Sequence, residues 1–141
     1  MPLSQKHILL AEDEKGLQRV LSLMLRQNNF KVSSCSNGEE AFNIISTLKG
    51  TGNSIDLLVT DIMMPKCGGV ELLDRLIDHG IRIPTIVITG HAGEDLLDNL
   101  QLRGCCEYIF KPFEPEDLMI SVHKAVRDQE NRNFLYQPGI S

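Results

Sequence analysis

Five short strand-like runs, each followed by an amphipathic stretch, constrain the fold of this chain more than any other feature. The runs begin at residues 7, 30, 55, 85 and 107, and the stretches after them carry apolar residues at helical spacing. Runs this short and apolar are typical of strands buried on both faces of a parallel sheet. The alternation therefore predicts βαβ units, with helices on both faces of one parallel sheet.

The number of strands narrows the possible orders. Right-handed crossovers leave two common doubly wound arrangements, and five strands fit the flavodoxin-like order 2-1-3-4-5 better than the six-stranded alternative. We therefore predict an α/β, doubly wound (βα)5 fold with that order. The run at residues 30–35 alternates polar and apolar residues, which predicts an edge strand. The fourth helix has the weakest apolar stripe, Leu96, Leu97 and Leu100.

Composition and charge exclude several classes of protein. With 141 residues, 42% of them hydrophobic, the chain fits one domain with a substantial core. Its net charge of −5 and the lack of a basic stripe argue against direct nucleic-acid binding. No apolar run approaches the ~20 residues of a membrane span, and the first residues lack the apolar region of a signal peptide. We expect a cytoplasmic protein with neither membrane nor nucleic acid as a partner.

The four cysteines indicate neither a zinc site nor a disulfide framework. They stand at positions 35, 67, 105 and 106 and form no CxxC pair, whereas zinc ligands usually have two to four residues between them. We expect ordinary reduced thiols, with Cys67 as a small packed hydrophobe.

Polar and charged residues that could form a functional site lie at the carboxyl ends of four predicted strands. They are Glu12 and Asp13 after the first strand, Asp61 after the third, Thr89 at the end of the fourth and Lys111 after the fifth. The carboxyl ends of parallel strands share one edge of the sheet, where ligands bind in such folds. Strands 1, 3, 4 and 5 are neighbours in the predicted order, so these side chains should converge in one cleft.

Three carboxylates in one cleft repel one another unless a cation lies among them. Oxygen ligands favour Mg²⁺ (or Mn²⁺), which binds through one or two carboxylates plus a phosphate. Asp61 would then be the nucleophile that forms an aspartyl phosphate. Lys111 and Thr89 would contact the phosphoryl oxygens, since phosphoryl transfer requires mainly positioning and charge stabilisation.

Each residue also has an ordinary structural interpretation. Asp13 fits a helix cap, Thr89 a β-branched strand residue, Lys111 a solvated side chain and Tyr108 core packing. The glycines match no nucleotide-binding loop. A phosphohydrolase similar to the haloacid dehalogenases is the competing enzyme hypothesis, but it needs an acid two residues after the nucleophile, where this chain has Met63.

Taken together, these motifs resemble the receiver domain of a two-component response regulator. The matching segments are LAED (residues 10–13), TDIMMP (60–65) followed by Gly69, ITG (88–90) and YIFKPF (108–113). On this resemblance, residues 1–127 are the receiver domain and residues 128–141 a polar C-terminal extension, linker or tail. A degenerate receiver that serves only as an interaction module is a further alternative, although every expected site residue is present.

The resemblance implies a role for each site residue. Asp61 would accept a phosphoryl group from a phosphohistidine on a sensor histidine kinase or a phosphotransfer protein. Asp13, Asp61 and the main-chain carbonyl of Met63 would ligate Mg²⁺, and Glu12 would act through a metal-bound water. Thr89 and Lys111 would hold the phosphoryl oxygens. The chain would thus be no enzyme but a regulatory domain whose phosphoryl transfer and autodephosphorylation act on itself.

It also implies a switch and a partner surface. Tyr108 would turn inward when Thr89 moves toward the phosphoryl group. The surface of the fourth helix, fifth strand and fifth helix would then contact an output domain, a downstream target or, in a homodimer formed on phosphorylation, a second copy. The peptide bond between Lys111 and Pro112 is expected to be cis. Met63 and His91 are expected at the rim, where they tune attack by water.

Overall fold

The structure, a computed structural model, describes residues 5–90, 94–103 and 105–135. Within these residues, strands and helices alternate from the first element to the last. They are β1 (His7–Ala11), α1 (Lys15–Gln27), β2 (Lys31–Cys35), α2 (Gly38–Leu48), β3 (Leu57–Asp61), α3 (Gly69–Asp78), β4 (Thr85–Thr89), α4 (Glu94–Leu102), β5 (Cys105–Phe110) and α5 (Pro115–Leu135). No helix in this part of the chain is long and apolar enough to cross a membrane.

The strands form one parallel sheet in the order β2-β1-β3-β4-β5, which confirms the predicted doubly wound fold. Every residue of β1, β3 and β4 is buried, as expected for strands that are covered on both faces. β2 alternates between buried and exposed residues, and it lies at the edge of the sheet. The predicted edge strand is therefore confirmed.

Two apolar cores cover the two faces of the sheet. Ile8 and Leu10 of β1 point to one face, and Leu9 and Ala11 point to the other, as the alternation of side chains along a strand requires. The first core adds residues of α1 and α5, among them Leu21, Leu25, Leu118 and Val122. The second adds residues of α2, α3 and α4, among them Ala41, Phe42, Leu72 and Leu100. This arrangement leaves the carboxyl edge of the sheet open between the two layers of helices.

Several element boundaries differ from those predicted from the sequence. β3 begins at Leu57 rather than at residue 55, and it includes Asp61. The residue before it, Asp56, exchanges hydrogen bonds with the main chain of His7, through both its amide and its carboxylate. β2 begins one residue after Phe30, whose amide donates to Leu25 O at the end of α1. β5 begins at residue 105 rather than 107.

Asn37 caps the N-terminus of α2. Its side-chain oxygen accepts a hydrogen bond from the Glu40 amide at 2.8 Å, and its Nδ2 donates to Glu40 Oε1, also at 2.8 Å. This reciprocal pair resembles a capping box and satisfies an amide that has no partner within the helix. It fixes the start of α2 beside the carboxyl edge of the sheet.

Replacing Asn37 with alanine should lower the free energy of unfolding by about 1 kcal/mol, because the Glu40 amide loses its acceptor. Urea denaturation followed by circular dichroism would measure the change. The Asn37→Ser variant is the control, since serine retains a capping oxygen and should lose less. Equal stability of the alanine variant and the wild type would contradict the assignment of this cap.

The buried cysteines behave as packed hydrophobes. Cys35 and Cys67 are 3% and 5% exposed, and both are free thiols. Burial raises the pKa of the Cys35 thiol to about 12 and raises that of Cys67 above its usual value. A raised pKa keeps a thiol protonated, and the thiolate is the reactive form.

In the native protein at pH 8, Cys35 and Cys67 should therefore react with iodoacetamide far more slowly than a free cysteine. Mass spectrometry of the two cysteine-containing peptides after timed labelling would measure the rates. The same labelling in concentrated urea is the control, because unfolding removes the burial. Native labelling as fast as labelling in urea would show that these thiols are accessible.

Candidate functional site

The carboxyl edge of the sheet brings the predicted acids together. Glu12 and Asp13 directly follow β1, and Asp61 is the last residue of the neighbouring strand β3. One carboxylate oxygen from each of the three residues lies within 4.8 Å of the other two. The parallel order of the strands, rather than closeness in sequence, produces this cluster.

Asp61 is buried, with 5% of its surface exposed. Its Oδ2 accepts a hydrogen bond from Lys111 Nζ at 2.7 Å, the length of a strong charge-assisted contact. Its Oδ1 accepts a longer bond, of 3.3 Å, from the Met63 amide. One oxygen is thus held by a cation, and the other makes a long contact with the main chain.

Glu12 is fully buried, and one of its carboxylate oxygens is poorly satisfied. Oε2 accepts a hydrogen bond from the Glu14 amide at 3.0 Å. Oε1 has no hydrogen-bond partner among the residues that the structure describes, and Lys111 Nζ lies 3.7 Å away. Burial raises the Glu12 pKa, and nearby Asp61 and Asp13 add to this, although the Glu14 amide and Lys111 oppose it. An oxygen left in this state is costly unless a further positive group reaches it.

Asp13 is exposed and does not cap α1. The cap is Glu14, whose carboxylate accepts hydrogen bonds from the Gly16 amide at 2.9 Å and from the Leu17 amide at 2.8 Å. The helix-cap interpretation of Asp13 is therefore wrong. Its carboxylate belongs to the acidic cluster instead.

Lys111 directly follows β5 and connects it to the acids. Its amide donates a hydrogen bond to Thr89 O at 2.9 Å. This bond holds the loop that follows β5 beside the end of β4. Burial alone would lower the Lys111 pKa, but the hydrogen bond to Asp61 and the charges of Asp61, Glu12 and Asp13 outweigh burial and raise it. The lysine is therefore a stable cation at neutral pH. The peptide bond between Lys111 and Pro112 is cis, as the resemblance implied.

The donor set of this cluster fits a hard divalent cation. Three carboxylates and one ammonium leave two negative charges in excess, and the donors are oxygens. The unpartnered Glu12 Oε1 is a second sign that positive charge is missing. Magnesium and manganese prefer such oxygen ligands, whereas zinc prefers nitrogen and sulfur. The cluster can therefore hold a metal ion of this kind.

The remaining predicted residues lie around the cluster. Thr89 ends β4 and is 2% exposed, and Asp61 pairs with the residue before it, Ile88. Tyr108 lies on β5 and packs, half-buried, against the second core. The Met63 side chain is 78% exposed, consistent with a rim position. His91, the other predicted rim residue, falls outside the described residues.

No sequence pattern pointed to Gln18, a further residue at this edge. Its side-chain amide donates hydrogen bonds to the main-chain oxygens of Glu12 and Cys35, at 2.8 Å and 2.9 Å. Contacts from a side chain to main-chain carbonyls leave no signature in residue spacing, and a glutamine on a helix usually signals only a polar surface.

Comparison with known families identifies the chain. The family model described as "Response regulator receiver domain" matches residues 8–123. This chain belongs to the response regulator receiver domain family. It is therefore a receiver domain of two-component signal transduction, as the motifs at the strand ends implied.

Similar proteins agree with this assignment. The probable transcriptional regulator ycf27 of Cyanidium caldarium is 35% identical over 137 residues, covering 95% of this chain and 51% of that protein. The response regulator SaeR of Staphylococcus aureus is 30% identical over 133 residues, covering 94% of this chain and 54% of that protein. The chain thus spans about half the length of these curated relatives.

Solved structures show the same fold. The FixJ-N structure is 32% identical with a TM-score of 0.73, and the alignment covers 87% of this chain and 94% of that one. A CheY-like receiver domain protein from Methanospirillum hungatei is 24% identical with a TM-score of 0.81, covering 92% and 99%. The second likeness shows the fold alone.

The crowded carboxylates lead to a prediction for the metal-free protein. Asp13→Asn removes one of three like charges, so it should raise the free energy of unfolding in a chelating buffer by up to about 1 kcal/mol at low ionic strength. Urea denaturation would measure this. Asp128→Asn, an exposed change on α5, is the control and should have little effect. A destabilised Asp13→Asn protein would show that the three carboxylates do not repel one another appreciably.

Proposed function

We propose that this receiver domain is the phosphoacceptor of a two-component phosphorelay and that Asp61 accepts the phosphoryl group. The observation that carries the proposal is the environment of Asp61: a buried carboxylate that is 2.7 Å from Lys111 Nζ and shares excess negative charge with two other acids. A phosphoryl group that reaches this carboxylate meets both a nucleophile and a cation to stabilise its oxygens.

The acidic cluster would hold Mg²⁺ (or Mn²⁺). Asp13, Asp61 and the main-chain carbonyl of Met63 are the proposed ligands, and Glu12 would act through a bound water. The oxygen-only donors and the excess negative charge support this set. When bound, the metal ion would neutralise the charge that builds up as an anionic phosphoryl group approaches the carboxylates.

The transfer is a displacement at phosphorus. A carboxylate oxygen of Asp61 attacks the phosphoryl group of a phosphohistidine on a sensor histidine kinase or a phosphotransfer protein. The new O–P bond forms as the P–N bond breaks, and the imidazole nitrogen leaves with the electron pair. Lys111, which now pairs with Asp61, would contact a phosphoryl oxygen. Thr89, at the end of the neighbouring strand, would donate its hydroxyl to another. Water attack on the same phosphorus would reverse the modification.

Thr89 and Tyr108 are the proposed switch. Thr89 pairs with Phe110 in the β4–β5 ladder, and Tyr108 pairs with Val87 on the same two strands. A small movement of Thr89 toward the phosphoryl group would therefore change the packing beside Tyr108, which is only half-buried. Tyr108 would turn inward and occupy the space released.

The α4-β5-α5 surface is the proposed partner face. Two of its large apolar side chains are exposed: Phe110 (49%) on β5 and Ile120 (68%) on α5. A partner that covered such side chains would remove apolar surface from water. An output domain, a downstream target or a second copy of the phosphorylated chain would bind there. Direct nucleic-acid binding by this segment is not part of the proposal.

The proposed domain comprises residues 1–127, and residues 128–141 are proposed to be an extension, linker or tail. The polar run after residue 127 continues as helix, since α5 extends to Leu135. A helix that runs on past Ala125, its last buried residue among those whose side chains are described, is suited to connect the domain to a further segment.

Neither alternative function fits as well. A phosphohydrolase similar to the haloacid dehalogenases would need a proton donor at position 63, where the chain has an exposed methionine. A degenerate receiver would lack some of the acids or the lysine, whereas all of them converge here. The phosphoacceptor function therefore accounts for more of the site.

A direct test uses a small phosphodonor. Wild-type protein incubated with acetyl phosphate and Mg²⁺ should gain the mass of one phosphoryl group, measured on the intact protein by mass spectrometry. Asp61→Asn should gain none, because an amide is too weak a nucleophile. Asp78→Asn, an exposed change on α3, is the control and should label as the wild type does. Equal labelling of the wild type and Asp61→Asn would overturn the assignment of Asp61, and labelling unaffected by a chelator would overturn the role of the metal.

A further inference from the structure

The side chain of Gln18 connects β1 and β2 just beyond the last residues that pair in the sheet. The β1–β2 register ends at Ala11 and Cys35. Beyond it, the Glu12 amide donates to Cys35 O at 3.0 Å. Gln18, the fourth residue of α1, donates from Nε2 to the same Cys35 oxygen at 2.9 Å and to Glu12 O at 2.8 Å. One side-chain amide thus joins the carboxyl ends of both strands.

The contact with Glu12 O has a specific consequence for the acidic cluster. The Glu12 carbonyl belongs to the planar peptide unit that connects Glu12 to Asp13. The carbonyl of that unit is held by Gln18, and the Glu12 carboxylate is held on the other side by the Glu14 amide. The direction in which the Asp13 side chain leaves the main chain depends on this peptide plane.

We infer that Gln18 is a positioning residue for the metal-binding acids, because it fixes the peptide plane from which Glu12 and Asp13 both extend. The inference rests on the proposed function, since it requires the acids to bind a divalent cation. Both of these hydrogen bonds from Gln18 go to main-chain oxygens and not to the carboxylates. Gln18 acts through the main chain, in the way that groups behind metal ligands orient them.

A purely structural role is the competing explanation, and the chain contains a matched contact to test it. One turn further along α1, Ser22 Oγ and Ser34 Oγ form a hydrogen bond of 2.9 Å. Like Gln18, this pair connects α1 to β2, although Ser22 is buried and Gln18 only half-buried. Unlike Gln18, it does not touch the peptide of the acids. Loss of either contact should weaken the packing of α1, but only loss of the Gln18 contact should disturb the acids.

The test compares Gln18→Met with Ser22→Ala in the full chain. Methionine has a similar length and helix propensity but no hydrogen-bond donor. We expect Gln18→Met to raise the Kd for Mn²⁺, measured by titration calorimetry or electron paramagnetic resonance, about tenfold. Ser22→Ala should stay within about twofold of the wild type. Urea denaturation without metal measures the structural contribution of each contact separately.

Phosphorylation by acetyl phosphate supplies a second readout. Gln18→Met should need a higher Mg²⁺ concentration for half-maximal rate, by the same factor as the change in Kd. Its rate at saturating Mg²⁺ should approach that of the wild type, since Gln18 does not contact the reacting atoms. If Gln18→Met proves too unstable, Gln18→Asn keeps an amide that is one methylene shorter, and it should lose a smaller part of the affinity.

The outcomes separate the inference from the proposed function. If the wild type binds Mn²⁺ and is labelled but Gln18→Met binds the metal equally well, Gln18 is only structural and the inference falls. The inference also falls if Ser22→Ala weakens binding as much as Gln18→Met. If the wild type neither binds the metal nor is labelled, the proposed function fails, and the inference fails with it. A selective, Mg²⁺-reversible defect in Gln18→Met supports both.

Discussion

The repulsion among Glu12, Asp13 and Asp61 is the constraint on which the rest of this structure depends. Three carboxylates within 4.8 Å, two of them buried, would separate if their main chains were free to move. They are held by β1 and β3, neighbouring strands whose residues are all buried. The packing of two apolar cores against the sheet therefore outweighs the repulsion among the carboxylates. The site is left with excess negative charge, which a cation can neutralise.

Lys111 neutralises only part of the negative charge of the three carboxylates. Its ammonium group is 2.7 Å from Asp61 but 3.7 Å from Glu12, and one Glu12 oxygen has no hydrogen-bond partner in the described part of the chain. A site balanced by its own residues would have little affinity for further cations. A site left with excess negative charge attracts one, and a bound cation in turn makes room for an anionic phosphoryl group. Partial neutralisation thus supports the proposed function, in which the domain accepts both a metal ion and a phosphoryl group.

The sequence was most informative where a feature is repeated or periodic. β1 and β4 occur at the predicted residues, because the polar residues on either side of a short apolar run mark where the buried strand begins and ends. The predicted start of β3 was two residues too early. The hydrogen bonds of Asp56 with His7 are a tertiary contact, and no local pattern in the sequence indicates them. The convergence of the acids with Lys111 followed from strand order, whereas the capping by Glu14 and the hydrogen bonds of Gln18 did not. Those contacts depend on side-chain direction and reach, which residue types alone do not determine.

The loops of the site are held by the beginnings of two helices. α1 supplies Gln18 to the turn that contains Glu12 and Asp13. α2 does the same for the loop after β3: the Gly38 amide donates to Cys67 O at 2.8 Å, and a Cβ at position 38 would lie 2.5 Å from that oxygen and 2.8 Å from the cysteine sulfur. Only a glycine allows this approach, and a residue larger than cysteine at position 67 would crowd it further. The loop with the proposed Met63 ligand is therefore fixed at its far end by α2. Both proposed sources of metal ligands are thus anchored to the start of a helix.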